Sequence, residues 1–224
     1  MITGNNLLGA IGSSSDTIYS PSWSKPTLLG TPLYVSNSGS NSNFRGSQFV
    51  VMSNGEMFGT GQNSRYNLGI GNALNTYEFK KSSITDVKKV IARSDDSANS
   101  ATYVLKNDGT VWAIGINGYG QFGVGNTTTR TVWTQSAISN VKDLAAGTYH
   151  LIALKNDGTV WTVGLNNYGQ LGNGTTTNSS NWIQVPSITN AIAISGGEGS
   201  GSYSSYIVTA TGELWATGLN TSRQ

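Results

Sequence analysis

A unit of roughly 50 residues recurs along this chain, and that recurrence restricts the fold more than any other feature of the sequence. Residues 105–125 read LKNDGTVWAIGINGYGQFGVG, and residues 154–174 read LKNDGTVWTVGLNNYGQLGNG. Looser copies begin at Val51 and Tyr206. Units of this kind are usually single supersecondary structures that cannot bury their apolar face alone, so neighbouring copies must pack on one another.

Each copy predicts a β-hairpin. Alternating apolar runs at 101–105 and 110–114 flank Asn107-Asp108-Gly109, a tight-turn sequence in which glycine permits a positive φ. The same pattern surrounds the turn at Asn156-Asp157-Gly158. The turn glycines of the four copies are Gly55, Gly109, Gly158 and Gly212, and the second run of each copy carries one large aromatic residue, namely Phe58, Trp112, Trp161 or Trp215. We expect these aromatic residues to pack between repeats.

A glycine-rich corner follows each hairpin, and two further strands are predicted after the corner. The third strand contains the next aromatic residue, which is Trp23, Phe79, Trp133 or Trp182, and the fourth is the apolar run at 87–92, 141–146 or 191–195. No segment shows a sustained helical period. The predicted fold is therefore all-β, a β-propeller of about four four-stranded blades in one domain, with repeat units at 1–47 plus 206–224, 48–100, 101–150 and 151–205.

Composition excludes several classes of function. The net charge is +2 and only 11% of residues are charged, so bulk electrostatics favour neither nucleic acid nor an anionic membrane as partner. The chain has no cysteine, which excludes disulfides, thiol nucleophiles and thiolate metal sites. Residues 1–11 do not have the pattern of a signal peptide, and no window is apolar enough to span a bilayer.

The pattern DGTVWxxGxNxxGQ[LF]G, together with residues 145–151 (AAGTYHL) before a hairpin, resembles the repeat of the regulator of chromosome condensation family. The match is specific in the third and fourth repeats and looser in the second repeat and in residues 1–47. The resemblance implies a propeller, usually of seven blades. Its members range from a guanine-nucleotide exchange factor to protein-binding modules and bacterial or viral surface proteins, so the resemblance leaves the function open.

The two ends of the chain correspond to adjacent positions of the repeat. Gln224 corresponds to Gln170, and the corner sequence resumes at Leu8-Gly9. We expect the C-terminal hairpin at 206–218 to join N-terminal strands near Trp23 and 33–35, so that a composite blade closes a four-bladed ring and removes exposed sheet edges. An eight-bladed ring formed by two chains and a truncated larger propeller are the alternatives.

The candidate chemical groups favour structural interpretations. His150 is the only histidine, and the sequence nominates neither a nucleophile nor a carboxylate partner for it. Asp108 and Asp157 occupy turn positions where aspartate bonds the backbone. Asp95, Asp96 and Asn99 could supply oxygen ligands to calcium, but their spacing is not that of a calcium loop, so a solvated insert is favoured.

Two other features invite a ligand-binding interpretation. The lysines at 80, 81, 88 and 89, with Arg93, form a basic cluster that could bind phosphate or an acidic protein, but a solvated blade edge is favoured. The glycine-rich segments at 115–125 and 196–201 are not followed by the Gly-Lys-Ser/Thr of a phosphate loop. No cofactor, metal or catalytic residue is predicted.

The first functional hypothesis is a non-enzymatic structural or adhesive propeller of the kind found in bacteriophage virions as a tail, fibre or head-decoration protein. Its motivation is the low-charge, Asn/Ser/Thr/Gly-rich composition, and it predicts a location on a virion or extracellular surface and a role in host attachment. The expected contact residues lie in three irregular loops, and they are Asn37, Asn41, Asn43, Asp95, Asp96, Asn99, Glu198 and Tyr203.

The alternative is an intracellular, cytoplasmic regulatory propeller that binds a protein such as a small GTPase across one face. It predicts a surface of charged or aromatic anchors, and the chain carries few charges outside residues 78–96. An enzyme ranks third. Propeller enzymes place several acidic or histidine groups around a channel, and this sequence supplies no such repeated set. Both leading hypotheses predict protein partners, with homo-oligomerisation as a further possibility.

Overall fold

A computed structural model describes residues 2–5, 19–24, 28, 30–38, 46–94, 100–197 and 203–220. All regular elements among these residues are β-strands, which confirms the all-β prediction; no membrane-spanning helix occurs among them. In chain order the strands are β1 (Ile2–Asn5), β2 (Tyr19–Ser24), β3 (Pro32–Asn37), β4 (Ser47–Met52), β5 (Met57–Gly61), β6 (Thr76–Lys81), β7 (Val87–Ser94), β8 (Ser100–Lys106), β9 (Val111–Gly115), β10 (Arg130–Gln135), β11 (Val141–Ala146), β12 (His150–Lys155), β13 (Val160–Gly164), β14 (Ser179–Gln184), β15 (Ala191–Gly196), β16 (Ser204–Thr209) and β17 (Leu214–Gly218).

The strands form four larger sheets and one short pair. The first three sheets have four strands each, β3 to β6, β7 to β10 and β11 to β14, and the fourth sheet has three, β15 to β17. Strands adjacent in the chain are adjacent in each sheet, as in an antiparallel meander. β1 pairs with β2 in a sheet of two strands.

The chain divides into two compact units. The first comprises residues 1–107, 113–116 and 130–134, and its fully buried side chains include Phe49, Met57 and Tyr103. The second comprises residues 108–112, 117–129 and 135–224. Its core contains a cluster in which residues of the third and fourth sheets meet, formed by Ile152, Leu154, Val160, Val185, Ile188, Ala191 and Ile207. Burial within this unit therefore comes from packing one sheet on the next.

The hairpins lie where the sequence predicts them, and Gly55, Gly109, Gly158 and Gly212 have φ values of 78°, 79°, 82° and 84°. The apolar runs predicted as the fourth strands of their repeats do not pair with the third strands of those repeats. β7 and β11 are the first strands of the sheets that follow, because they pair with β8 and β12. Each begins against the preceding hairpin turn, where Val87 N donates to Gly55 O and Val141 N to Gly109 O, and then turns to the next sheet.

The N-terminal part of the predicted composite blade needs correction. Residues 33–35 lie in β3, which pairs with β4 in the register Val35 to Val50, so they begin the first sheet as β7 and β11 begin theirs. Trp23 lies in β2, the partner of β1. Ring closure by the N- and C-terminal strands is not confirmed and stays a prediction.

A buried asparagine organises the corner that follows each of the first three hairpins. Asn63, Asn117 and Asn166 are each 0% exposed. The side-chain Oδ1 accepts the backbone N–H five residues later, at 2.9 Å in all three corners. The Nδ2 of each donates to backbone carbonyls further along the loop; for Asn166 these are Thr175 O at 3.0 Å and Thr177 O at 3.1 Å. One amide thus fixes both ends of a loop that the sequence presents only as flexible.

Asn166→Asp is expected to lower the free energy of unfolding by about 3 kcal/mol, because it removes the Nδ2 donors and places a carboxylate among buried carbonyl oxygens. The measurement is urea denaturation followed by tryptophan fluorescence. Asn173→Asp is the matched control. Its Oδ1 accepts from Thr175 N and Oγ1 and from Asn166 Nδ2, and a carboxylate oxygen accepts all three bonds, so a change within about 0.5 kcal/mol is expected. An equal decrease in the free energy of unfolding for the two variants would contradict this role of Asn166.

Candidate functional site

Four tyrosines form a continuous row in the second unit. The ring centroids of Tyr119 and Tyr149 lie 4.7 Å apart, those of Tyr149 and Tyr203 lie 6.4 Å apart, and those of Tyr203 and Tyr168 lie 4.9 Å apart in a stacked arrangement. Tyr119 is 36% exposed and Tyr168 47% exposed, while Tyr149 and Tyr203 are half-buried. We call Tyr119, Tyr149, Tyr168 and Tyr203 the tyrosine row.

The two outer tyrosines come from equivalent positions in the repeat. Tyr119 and Tyr168 stand in the corners after the second and third hairpins, two residues before Gln121 and Gln170. The side-chain Oε1 of each glutamine accepts the N–H of its tyrosine at 3.0 Å. Both glutamines are buried, so they hold the tyrosine backbone from inside the corner while its ring faces outward. At the equivalent position the preceding repeat has Arg65.

The two inner tyrosines stand just before hairpins, and close backbone approaches hold them there. Tyr149 O accepts the N–H of Leu165, and Tyr203 O accepts the N–H of Leu219, both at 3.0 Å. Gly164 and Gly218 make this possible, because a Cβ at either position would collide with the same tyrosine carbonyl. A corner tyrosine of one sheet thus meets the hairpin tyrosine of the next, and the pairing occurs twice.

His150 lies beside the row and ties two sheets together. The side chain is 1% exposed, and its Nε2 lies 2.8 Å from Ser205 Oγ. Ser205 Oγ donates its only hydrogen to Gln170 O at 2.8 Å, so the histidine Nε2 carries the hydrogen and is the donor to the serine. A Cβ at Gly147 would collide with the imidazole ring. These contacts hold the imidazole of His150 in place next to Tyr149 of the tyrosine row.

Two of the sequence-predicted contact residues lie in the described part of the chain. Tyr203 belongs to the tyrosine row, and Asn37 is exposed at the end of β3. Asn41, Asn43, Asp95, Asp96, Asn99 and Glu198 lie outside the described residues. Sequence reasoning missed Tyr119, Tyr149 and Tyr168, although the repeated YGQ at 119–121 and 168–170 was a visible signal.

The indoles of the second hairpin strand donate hydrogen bonds within their own sheet. The Nε1 groups of Trp112 and Trp161 donate to Thr110 Oγ1 and Thr159 Oγ1, at 3.1 and 3.2 Å. Phe58 is half-buried like them, whereas Trp215 is 47% exposed. The indole N–H groups of Trp133 and Trp182, in the outer strands, donate to serines of the preceding sheet.

The acidic and basic side chains in the repeats have local partners. Asp108 and Asp157 each accept two hydrogen bonds from the threonine two residues later. The hydrogen bond from the Thr159 side chain holds the pKa of Asp157 below its usual value. This geometry agrees with the turn interpretation.

Part of the basic cluster is neutralised. Lys80 pairs with Glu78 at 2.8 Å, and Lys81 pairs with Glu56. These hydrogen bonds lower the pKa values of the two glutamates below the usual range. The cluster is thus a mixed-charge sheet edge. Within the described residues no group of three or more His, Cys, Asp or Glu side chains could hold a metal ion.

Comparison with known families supports the repeat. The Regulator of chromosome condensation (RCC1) repeat matches residues 141–170 and again residues 157–200, together about a quarter of the chain. No curated protein matches the sequence.

Solved structures share the fold. Human WBSCR16 aligns with a TM-score of 0.74 and 21% identity, over 97% of this chain and 56% of that chain. Yeast RCC1 (Prp20), solved bound to Kap60, aligns with a TM-score of 0.68 and 16% identity, over 92% of this chain and 47% of that chain. Prp20p from Saccharomyces cerevisiae, described with its binding properties to Gsp1p and histones, aligns with a TM-score of 0.67 and 16% identity, over 91% of this chain and 48% of that chain.

The chain therefore spans about half the length of these proteins, and likeness at such low identity shows the fold alone. The predictions of a β-propeller fold and of RCC1-type repeats are confirmed. The virion, phage and host-attachment parts of the first hypothesis find no support in these comparisons.

Ser205→Ala is expected to lower the free energy of unfolding by about 1–3 kcal/mol, because it deprives both His150 Nε2 and Gln170 O of their hydrogen-bond partner in a buried site. Thermal unfolding followed by circular dichroism measures the change. Ser195→Ala is the control, since that serine is exposed and makes only a 3.3 Å bond to the next residue. If Ser205→Ala unfolds at the same temperature as the unmodified protein, the proposed hydrogen-bonded link between the third and fourth sheets is refuted.

Proposed function

We propose that this chain is a non-enzymatic RCC1-type propeller segment that binds a protein partner through the tyrosine row. The observation that carries the proposal is the continuity of the row, with four rings in succession at centroid separations of 4.7, 6.4 and 4.9 Å. Single exposed aromatic residues are common on protein surfaces, but contiguous ones are typical of interaction sites.

The row has the physical properties of a binding anchor. Tyrosine offers a large contact area with few rotatable bonds, so little conformational entropy is lost on binding. Each ring here already contacts at least one other ring, and the backbones of the outer two are held by buried glutamines. Part of the conformational entropy that binding would cost is therefore already lost in the free protein. Phenol faces also attract arginine side chains, so we expect a partner surface that presents arginine and apolar groups.

The fold supports a protein as the class of partner. Prp20, which shares this fold, was solved bound to Kap60, and Prp20p was characterised for binding to Gsp1p and histones. A regulatory propeller and a structural propeller would differ in the identity of the partner rather than in the surface used. A location on a virion or extracellular surface, and the cytoplasmic alternative, stay predictions from composition.

The test is site-specific photocrosslinking. Tyr119 or Tyr168 is replaced by p-benzoylphenylalanine, the protein is irradiated in an extract of the source organism, and adducts are identified by mass spectrometry. We expect one partner protein to be captured from both positions. Purified partner should then bind Tyr119→Ala and Tyr168→Ala at least about tenfold more weakly than the unmodified chain, as is typical of aromatic anchors.

Tyr77 is the matched control, because it is 41% exposed but lies in β6, outside the row. The same replacement there should not give the adduct, and Tyr77→Ala should bind the partner unchanged. Identical adducts from position 77, or equal affinity of the row variants and the control, would sink the proposal.

A further inference from the structure

The tyrosine row contains two pairs of closely spaced phenols, and each pair joins two consecutive sheets. In the first pair, the ring centroid of Tyr119, from the corner of the second sheet, lies 4.7 Å from that of Tyr149, which directly precedes β12 of the third sheet. In the second pair, the centroid of Tyr168, from the corner of the third sheet, lies 4.9 Å from that of Tyr203, which directly precedes β16 of the fourth sheet. A single bond within either pair would link two sheets of a chain that has no cysteine for a disulfide.

The ring separation within each pair is close to that of two phenols joined by a covalent bond. In a dityrosine the centroids are separated by two ring radii and one carbon–carbon bond, which is slightly less than the 4.7 and 4.9 Å observed. The outer ring of each pair is partly exposed and can turn while its glutamine holds the backbone. The inner contact, between Tyr149 and Tyr203, is longer at 6.4 Å. Bond formation is therefore favoured within the pairs rather than between them.

Both ends of the row are open to a one-electron oxidant. Tyr119 and Tyr168 are 36% and 47% exposed, so an oxidant at the surface reaches their rings, and the hydroxyl proton of an oxidised phenol passes to water. Rings in contact can exchange an electron, so a radical formed on an outer tyrosine is shared with the inner tyrosine beside it. Two successive oxidations of the row thus place two radicals on adjacent rings.

We propose that the tyrosine row is an oxidative cross-linking site, at which a haem peroxidase and hydrogen peroxide convert the two pairs into dityrosines. In each pair, both phenols lose one electron and the hydroxyl proton. The two phenoxyl radicals then form one carbon–carbon bond between ring carbons ortho to the oxygens, and the two ortho hydrogens move to the oxygens to restore the phenols. One hydrogen peroxide takes up the two electrons and two protons and is reduced to two waters.

The cross-links are expected to stabilise the fold. A covalent link between distant positions restricts the unfolded chain, and each dityrosine closes a loop that runs from the corner of one sheet to the hairpin of the next. We expect the midpoint of urea unfolding to shift to higher urea after peroxidase treatment. The reaction requires no bound partner, so this inference does not rest on the proposed function.

The test is peptide mapping of the purified full chain after treatment with a haem peroxidase and hydrogen peroxide. Digestion with trypsin and a glutamate-specific protease separates the tyrosines of each pair. A bond in the first pair joins peptides 107–130 and 143–155, and a bond in the second pair joins peptides 156–198 and 199–213. We expect mass spectrometry to find both joined products, each lighter by two hydrogen atoms than its two peptides together, with fragment spectra that place the bond between the tyrosines of the row.

Phenylalanine variants identify the reacting phenols, because phenylalanine keeps the ring but has no hydroxyl hydrogen to lose. Tyr119→Phe should lose the first joined product and keep the second, and Tyr168→Phe should do the reverse. Tyr77→Phe is the matched control, since Tyr77 is 41% exposed but lies outside the row, and it should keep both. Treatment of the double variant Tyr119→Phe/Tyr168→Phe should not raise the urea midpoint.

Three results would overturn the proposal. The first is treated, unmodified chain that yields no joined peptides. The second is a set of cross-links that form only between chains and therefore vanish on dilution. The third is persistence of both joined products in the double variant, which would place the bonds on other residues.

Discussion

The buried amide of Asn63, Asn117 and Asn166 is the interaction on which the rest of the described structure depends. Each corner must carry the chain from one strand of a sheet to the next without regular backbone pairing, so its N–H and C=O groups need other partners. One asparagine side chain supplies both an acceptor and donors, and it does so in all three corners with the same 2.9 Å bond. The corner thereby becomes a rigid part of the sheet rather than a mobile connection.

A rigid corner positions two different contacts with the next sheet. The glycine that follows it leaves room for an aromatic ring from the next sheet, as Gly123 does for Trp182. The tyrosine within it, Tyr119 or Tyr168, is held against a tyrosine from the next hairpin. Packing between sheets and presentation of the tyrosine row are therefore two results of one local structure. This is why a fold with little charge and no disulfide can still present a defined row of aromatic side chains.

Much of the local structure could be predicted because its signals are short-range. The turns at Gly109 and Gly158 and the aromatic strands at Trp133 and Trp182 follow from residue type and spacing. The pairing of β7 and β11 could not, since an apolar alternating strand fits the hairpin before it as well as the one after it. The tyrosine row was missed for a related reason, because the rings of Tyr119 and Tyr149 come into contact only once two repeats are adjacent.

The central claim is that the corners are rigid because a buried amide closes them, and native-state amide hydrogen exchange tests it most directly. The N–H groups of Leu68, Phe122 and Leu171 lie in loop segments but donate to the asparagine Oδ1 atoms. The account predicts that these three amides exchange as slowly as those of the hairpin strands, through global opening. Exchange as fast as that of exposed loop amides such as Thr127 would contradict it, because the corners would then open independently of the sheets.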